Sequence, residues 1–326
     1  MKICTIAIPV YNREKELGNA LESALSQAGD DIEILVIDNC STDRSWEIAN
    51  SFADPRLRLV RNATNLGLFG NFNRCLELAQ GRYIRILGSD DRLLPGCVRA
   101  EVELMERHAN ASILSTRAWA VDETYRRKRV IADLMAPGKY RGAEMISATL
   151  WMLSHYNGTP LNLPSGILLR KSATEQAGLF DTHMRLLGDV DYWLKMMTVG
   201  DVLIVDRFGC EIMEHSGQET FALNSKGYYT SELLMLVRRW ASYLHRRGIY
   251  DQVIEQSAVC SLLIAINLLR AKHMQAARLY WITATTQKLS YLHLASAALR
   301  RAKVRWQYRR DKIDPFVKTL AVGRNI

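Results

Sequence analysis

The chain has 326 residues, 48% of them hydrophobic and 24% charged, enough to bury a substantial core and unlike a disordered or fibrous polypeptide. Its net charge of +9 is unevenly spread: residues 226–326 carry 18 Lys and Arg against 5 Asp and Glu, and residues 1–225 carry 25 against 29. No apolar run reaches the ~18 residues a membrane span needs, and the cysteines at 4, 40, 75, 97, 210 and 260 show neither CxxC nor zinc-finger spacing, so they read as reduced, structural thiols of a cytoplasmic protein.

Residues 3–8 (ICTIAI) and 32–38 (IEILVID) are apolar, β-branched runs with polar borders, and they predict buried strands of a parallel sheet. Between them Leu17, Ala20, Leu21, Ala24, Leu25 and Ala28 recur at three- and four-residue spacing, predicting an amphipathic helix over 13–28. The alternation continues with helix 42–52, strand 57–60, helix 69–79 and strand 83–87. Such alternation predicts an α/β fold, an open sheet flanked by helices with right-handed crossovers. Further on come a helix at 95–108, strands at 112–121 and 166–170, a helix at 189–200 and a strand at 201–206. The last hundred residues carry almost no strand signal. They predict an α-helical C-terminal extension, with helices at 230–247, 252–270 and 273–310, the last broken near Ser290. The expected division is a body at 1–225, with halves 1–100 and 101–225, and a basic helical region at 226–326.

Open sheets of this kind bind ligands beyond the carboxyl ends of their strands. Those ends are Pro9–Asn12, Asp38–Asp43, Asn62–Gly67 and Gly88–Asp91. The first strand-to-helix turn, IPVYNRE, contains neither GxGxxG nor GxxxxGK[ST], which removes the dinucleotide and P-loop readings. Tyr11, Asn12 and Glu14 suit stacking on and edge-binding of a base, or equally a plain turn into a helix. Asp38 ends a buried strand, where a carboxylate can accept the N3–H of a uracil or thymine ring; Ser41 or Thr42 then reads as the N-cap of the next helix. The adjacent acids Asp90 and Asp91 are either an exposed acidic turn or a seat for a divalent cation bridging to a diphosphate. Asp189 opens a helix, as its N-cap, as a rigidly mounted base, or as both.

Taken together, TIAIPVYNREKEL, EILVIDNCSTDRS, NATNLGLFGNFNRCLELAQGRYIRILGSDD, PSGILLRKSATEQAGLFD and GDVDYWLKMMTVG resemble glycosyltransferase family 2, over roughly residues 3–220 and in the family's order. The resemblance implies a GT-A fold and an inverting transferase that moves a sugar from a UDP- or dTDP-linked donor to a hydroxyl of a glycan or lipid-linked acceptor. It places Pro9, Tyr11, Asn12 and Glu14 around the base and ribose, Asp38 on the pyrimidine, and Asn65 and Gly67 in the loop under the nucleotide. Asp90 would approach the ribose or sugar and Asp91 would ligate Mg2+ or Mn2+, with His215 in IMEHSGQ near the metal. Asp189 aligns with the family's catalytic base and Asp191 with its follower. An in-line displacement with one base and no carboxylate nucleophile gives inversion.

Three positions depart from the family pattern. Gly88 stands where an acid usually precedes Asp90, Phe72 where an Arg usually precedes Asn73, and Gly188 where a Glu usually precedes Asp189. The diphosphate contact of the missing Arg is then expected from Arg85 or Arg74. Trp151 and Trp193 read as core rather than as sugar platforms. The tail LRRAKVRWQYRRDK mixes basic with apolar residues, as a helix on an anionic membrane surface does, or a solvated helix face. No nucleic-acid motif accompanies that charge; the resemblance implies cell-surface polysaccharide synthesis, and the basic tail a place at the inner face of the membrane. A catalytically inactive nucleotide-sugar-binding scaffold is the alternative, and a nucleotidyltransferase would need a Gly-rich basic loop that IPVYNRE lacks.

Overall fold

A computed structural model of the chain describes residues 2–132, 134–156, 158–214 and 228–270, and isolated positions beyond. The first half follows the expected alternation: β1 (Cys4–Val10), α1 (Leu17–Leu25), β2 (Ile32–Asp38), α2 (Ser45–Asn50), β3 (Leu57–Arg61), α3 (Gly67–Leu78) and β4 (Tyr83–Ile86). The short β5 (Arg92–Leu93), α4 (Cys97–Arg107), β6 (Ala111–Val121), β7 (Arg127–Ile131) and β8 (Gly138–Tyr140) follow. Next are α5 (Gly142–Tyr156), β9 (Ile167–Arg170), α6 (Lys171–Ala177), α7 (Gly188–Val199) and β10 (Asp201–Met213). The C-terminal helices are α8 (Tyr228–Arg239), α9 (Ala241–Arg246) and α10 (Tyr250–Arg270).

All strands join one sheet in the order β3-β2-β1-β4-β9-β6-β10-β5, with β7 added to β6 and β8 to β10. The pairs β1–β2, β2–β3 and β1–β4 are parallel, and every residue of β1 and β2 is buried, as a strand covered on both faces requires. Beyond β4 the sheet is mixed, because β9 lies antiparallel to both β4 and β6. The register sets Val10 beside Asp38 and Asp38 beside Arg61, so the carboxyl ends of the first strands form one ledge.

Helices α1, α2 and α4 bury Leu17, Ala20, Leu21, Ala24, Ala49, Val98, Val102 and Met105 on one face of the sheet. Helices α3, α5 and α7, with Leu233, Leu236 and Val237 of α8 and Val253 and Cys260 of α10, cover the other. The C-terminal helices are thus part of the main core. Trp151 and Trp193 are buried in this second layer, as expected. No helix among the described residues is long and apolar enough to cross a membrane.

Several expectations need correction. Helix α1 starts at Leu17 rather than 13, and α2 at Ser45 rather than 42, because both preceding turns spend their polar groups on each other. Ser41 and Thr42 cap nothing: the Ser41 hydroxyl accepts the Asn12 N–H at 3.1 Å, and Thr42 donates its N–H to Asn12 Oδ1 at 2.9 Å. The expected helix 230–247 is broken at Trp240. Helix α5 escaped the sequence reading because residues 145–155 are buried without interruption, which leaves no polar face to mark the 3.6-residue period. The expected helix over 273–310, isolated positions apart, and the residue His215 lie outside the described residues.

Candidate active site

The carboxyl ledge opens into a cavity of about 530 Å³ lined by the β1–α1 turn, the start of α3, the Gly88–Asp91 turn, Leu163–Ser165 and the loop leading into α7. Its floor is a web of asparagines. Asn39 Nδ2 donates to Asn65 Oδ1 (2.9 Å) and to the Gly67 carbonyl (3.2 Å), while its Oδ1 accepts from Asn62 Nδ2 (3.0 Å) and Leu66 N–H (2.9 Å). Asn62 Nδ2 also donates to Asn71 Oδ1, and Asn71 Nδ2 to the carbonyl of Ile37 at the end of β2. The buried amides are therefore satisfied and the loop between β3 and α3 is fixed from below. Gly67 takes φ +73°, a left-handed conformation that glycine adopts without a Cβ penalty.

Pro9, Tyr11, Asn12, Asn65, Gly67 and Asp90 line this cavity, with Tyr11 44% exposed at its mouth. Glu14 and Asp38 do not line it. Glu14 faces the neighbouring turn, where its carboxylate accepts the Arg44 N–H at 3.1 Å. The buried Asp38 carboxylate is held by the Arg61 guanidinium at 2.9 Å and by the Ser41 N–H at 3.3 Å, so its visible task is to join β2 to β3 and brace the following turn.

Asp91 is buried at the cavity wall. Its Oδ2 accepts the Ser165 hydroxyl at 2.5 Å and its Oδ1 the Met213 N–H at 3.0 Å, and Ser165 in turn accepts the Gly88 N–H at 2.8 Å. Burial, with the negative charge of Asp90 next, pushes the Asp91 carboxyl up to about 7, against the lowering effects of Ser165, Met213 and Arg13. Arg13 Nε approaches Asp90 Oδ2 at 3.6 Å. No cluster of three or more His, Cys, Asp or Glu able to hold a metal exists among the described residues. A Cβ on Gly88 would stand 2.7 Å from Asp91 Oδ2, so the missing third acid would press on the existing two.

Asp189 also lines the cavity, in the first turn of α7. It is not the N-cap: the helix begins at Gly188, and Asp189 Oδ1 accepts the adjoining Val190 N–H at 2.8 Å. Burial lifts its carboxyl to about 6, with Val190 opposing and the charge of Glu232 adding to the rise. Asp191 faces away from the cavity and is 0% exposed. Its oxygens are taken by Arg239 Nη1 (2.8 Å), Lys195 Nζ (3.4 Å) and Trp240 Nε1 (3.3 Å), so it fastens α7 to the C-terminal helices.

Neither cation expected for a diphosphate is available. Arg85 is completely buried, ion-paired with Glu101 of α4, and its Nε donates to the Ser165 carbonyl at 2.9 Å; Arg74 pairs with Glu77 on an outer face of α3. The cations that do line the cavity are Arg13 and Arg185. Sequence patterns had not singled out Arg185, Asn39, Asn71 or Ser165. A lone polar residue in a loop has no periodicity to betray it, and Asn71, inside α3, breaks that helix's apolar face rather than marking it. The departures at 72 and 188 share one cause. Phe69, Phe72, Phe180 and Tyr192 form one aromatic cluster, stacked and edge-to-face at centroid distances of 3.8–5.8 Å, and a Cβ on Gly188 would stand 2.4 Å from the Phe69 ring.

Comparison with known proteins gives this cavity its context. The model of "Glycosyl transferase family 2" matches residues 5–178, more than half of the chain. The chain belongs to glycosyl transferase family 2. Among similar proteins, an uncharacterized protein of Mycobacterium tuberculosis, MT1568, is 32% identical over 207 residues, 62% of this chain and 64% of that protein. The Escherichia coli UDP-Glc:alpha-D-GlcNAc-diphosphoundecaprenol beta-1,3-glucosyltransferase WfaP is 37% identical over 106 residues, 32% of this chain and 42% of WfaP. The succinoglycan biosynthesis protein ExoO of Rhizobium meliloti is 36% identical over 99 residues, 30% of this chain and 28% of ExoO. In each case less than two thirds of the relative's length is matched. In structure the chain resembles residues 1–349 of S. aureus TarS, solved in complex with UDP-GlcNAc, with a TM-score of 0.59 at 16% identity over 89% of this chain and 93% of that one. That likeness establishes the GT-A fold. The family match ends before Asp189.

Proposed function

We propose that this glycosyltransferase inverts the anomeric centre as it moves a sugar from a UDP- or dTDP-linked donor to a hydroxyl of a glycan or lipid-linked glycan, in cell-surface polysaccharide synthesis. The observation that carries the reading is that the Asp90–Asp91 pair and Asp189 line one and the same cavity. TarS is solved with UDP-GlcNAc and WfaP is named for a UDP-glucose donor and a diphosphate-linked lipid acceptor, which supports the same classes here. The nucleotide lies over the asparagine floor with Tyr11 against its base. Arg13 and Arg185 offer positive charge to the diphosphate. Asp189 takes the proton of the acceptor hydroxyl as that oxygen attacks the anomeric carbon from the face opposite the diphosphate.

Two adjacent carboxylates suit Mg2+ or Mn2+, since such ions commonly use one or two protein carboxylates and fill the remaining positions with substrate phosphates and water. Asp91, with Asp90 beside it, would hold the ion, and a bound ion would take up charge developing on the leaving diphosphate. UDP is expected to raise the melting temperature more with Mn2+ than without it, and Asp91→Asn, which still accepts the Met213 N–H, is expected to lose that metal-dependent increment. Calorimetric titration checks this; an increment equal to the parent's would refute the assignment.

The basic C-terminal region serves as a peripheral anchor to an anionic membrane on the side where the acceptor lipid lies. In support, Leu263, Ile266 and Leu269 project exposed from one side of α10, with exposed Met274, Arg278 and Trp281 beyond. Each basic residue near such a surface contributes about 1 kcal/mol. Flotation is expected with anionic vesicles at low salt and to weaken at high salt. Equal partitioning onto neutral vesicles, or none at all, would sink the anchor.

A further inference from the structure

We infer that Glu232, on C-terminal helix α8, is a positioning residue that sets the loop carrying Arg185 and Asp189 at the cavity, so that the C-terminal helices form part of the catalytic unit. The inference rests on the reading of Asp189 as the base. Glu232 is 4% exposed, and its carboxylate faces into the turn that opens α7. Its Oε1 accepts the Arg185 N–H at 2.6 Å, and its Oε2 accepts the Leu186 and Leu187 N–H groups at 3.0 and 2.7 Å. Three consecutive amides just before a helix would otherwise lack partners, and Leu187 is itself buried. A carboxylate suits them twice over, by accepting several N–H bonds and by placing negative charge at the positive end of α7.

Seven residues along, on the same side of α8, Arg239 grips the same segment at both ends. Its Nη2 donates to Asp181 Oδ2 at 2.9 Å and its Nη1 to Asp191 Oδ2 at 2.8 Å. Residues 181–191 are therefore held at their flanks by Arg239 and in the middle by Glu232. Asp189 stands two residues beyond the last clamped amide, in the first turn of the helix those amides lead into. Its carboxylate accepts the Val190 N–H, a bond internal to that turn, so its placement against the acceptor is inherited from the loop. In the same way the clamp fixes the backbone from which Arg185 reaches the cavity.

The test is Glu232→Gln in the full-length chain, beside the parent and Asp189→Asn. Gln keeps the size but offers one acceptor oxygen in place of two. Amide hydrogen exchange at 185–187 is expected to speed up at least tenfold. The kcat for transfer is expected to fall by about 10- to 100-fold, as for a displacement on the order of 1 Å at a reacting group, with a much smaller rise in donor KM because Arg13 still meets the diphosphate when Arg185 shifts. Unchanged exchange, parental kcat in a folded variant, or kcat and donor KM lost together as in general loosening would each overturn the inference. If Glu232→Gln does not fold, Glu232→Asp, which keeps the charge but draws it back by one methylene, is judged by the same readouts. A parent that transfers sugar from no UDP- or dTDP-linked donor refutes the enzymatic reading instead, and the exchange measurement then still decides whether Glu232 holds the loop.

Discussion

Replacing Asp189 by Asn is expected to lower turnover by about 10²–10⁴-fold while leaving donor binding intact, the loss that accompanies removal of a general base. The side chain lines the cavity, and Asn retains an oxygen for the Val190 N–H, so the first turn of α7 persists. Asp191→Asn is a contrast of a different kind. It weakens the junction with Arg239 and Lys195 and is expected to show as a lower melting temperature with much smaller loss of chemistry. Steady-state kinetics with one working donor and acceptor, paired with thermal melts, separates the two. Inactive Asp191→Asn beside active Asp189→Asn would move the base to Asp191.

The same assignment fixes a pH dependence. A base must be ionised, so kcat is expected to fall as pH drops through about 6, the value to which burial lifts the Asp189 carboxyl. The sign for stability is opposite. A carboxyl whose folded pKa is raised favours the folded state when protonated, and that benefit is lost as pH rises through the folded value. Above pH about 6 the Asn variant is therefore expected to melt no lower than the parent, and any advantage should shrink as pH falls from there toward the ordinary Asp value of 3.8. A variant that is both inactive and markedly less stable at pH 8 would show that Asp189 is a structural group.

The largest effect on stability is expected from Arg85→Ala. Arg85 on β4 and Glu101 on α4 are both fully buried and paired, and Arg85 also supports the carbonyl of Ser165, whose hydroxyl holds Asp91. Removing one partner strands the other charge in the core, which typically costs about 3–5 kcal/mol. Replacing both, as in Arg85→Met with Glu101→Leu, should recover much of that loss. Burial already raises the Glu101 carboxyl, so the deficit of Arg85→Ala should shrink at acidic pH as Glu101 takes up a proton. Urea unfolding at pH 5 and pH 8 checks both statements. A deficit below 1 kcal/mol for the single variant, or a double variant weaker than the single one, would contradict them.

The sequence alone determined the order of strands and helices as far as β4, the ledge at the strands' carboxyl ends, and the family. Each of these rests on local information: β-branched runs, three- and four-residue spacing, and polar residues directly after strands. It also marked Asp90 and Asp91, because adjacent acids after a buried strand repel each other without a compensating partner, and Asp189, through the family resemblance. Only the tertiary structure decided which charges face the cavity. Asp38 and Arg61 are partners through strand register, Asp191 turns toward Arg239 because helical rotation carries it off the Asp189 face, and Arg85 is consumed by Glu101 from a helix 16 residues away in sequence. Helix α5 was hidden because burial on all sides erases amphipathic period. Glu232 shows the limit most clearly. Its partners are backbone amides 45–47 residues earlier, and a backbone N–H carries no sequence identity from which such a contact could be read.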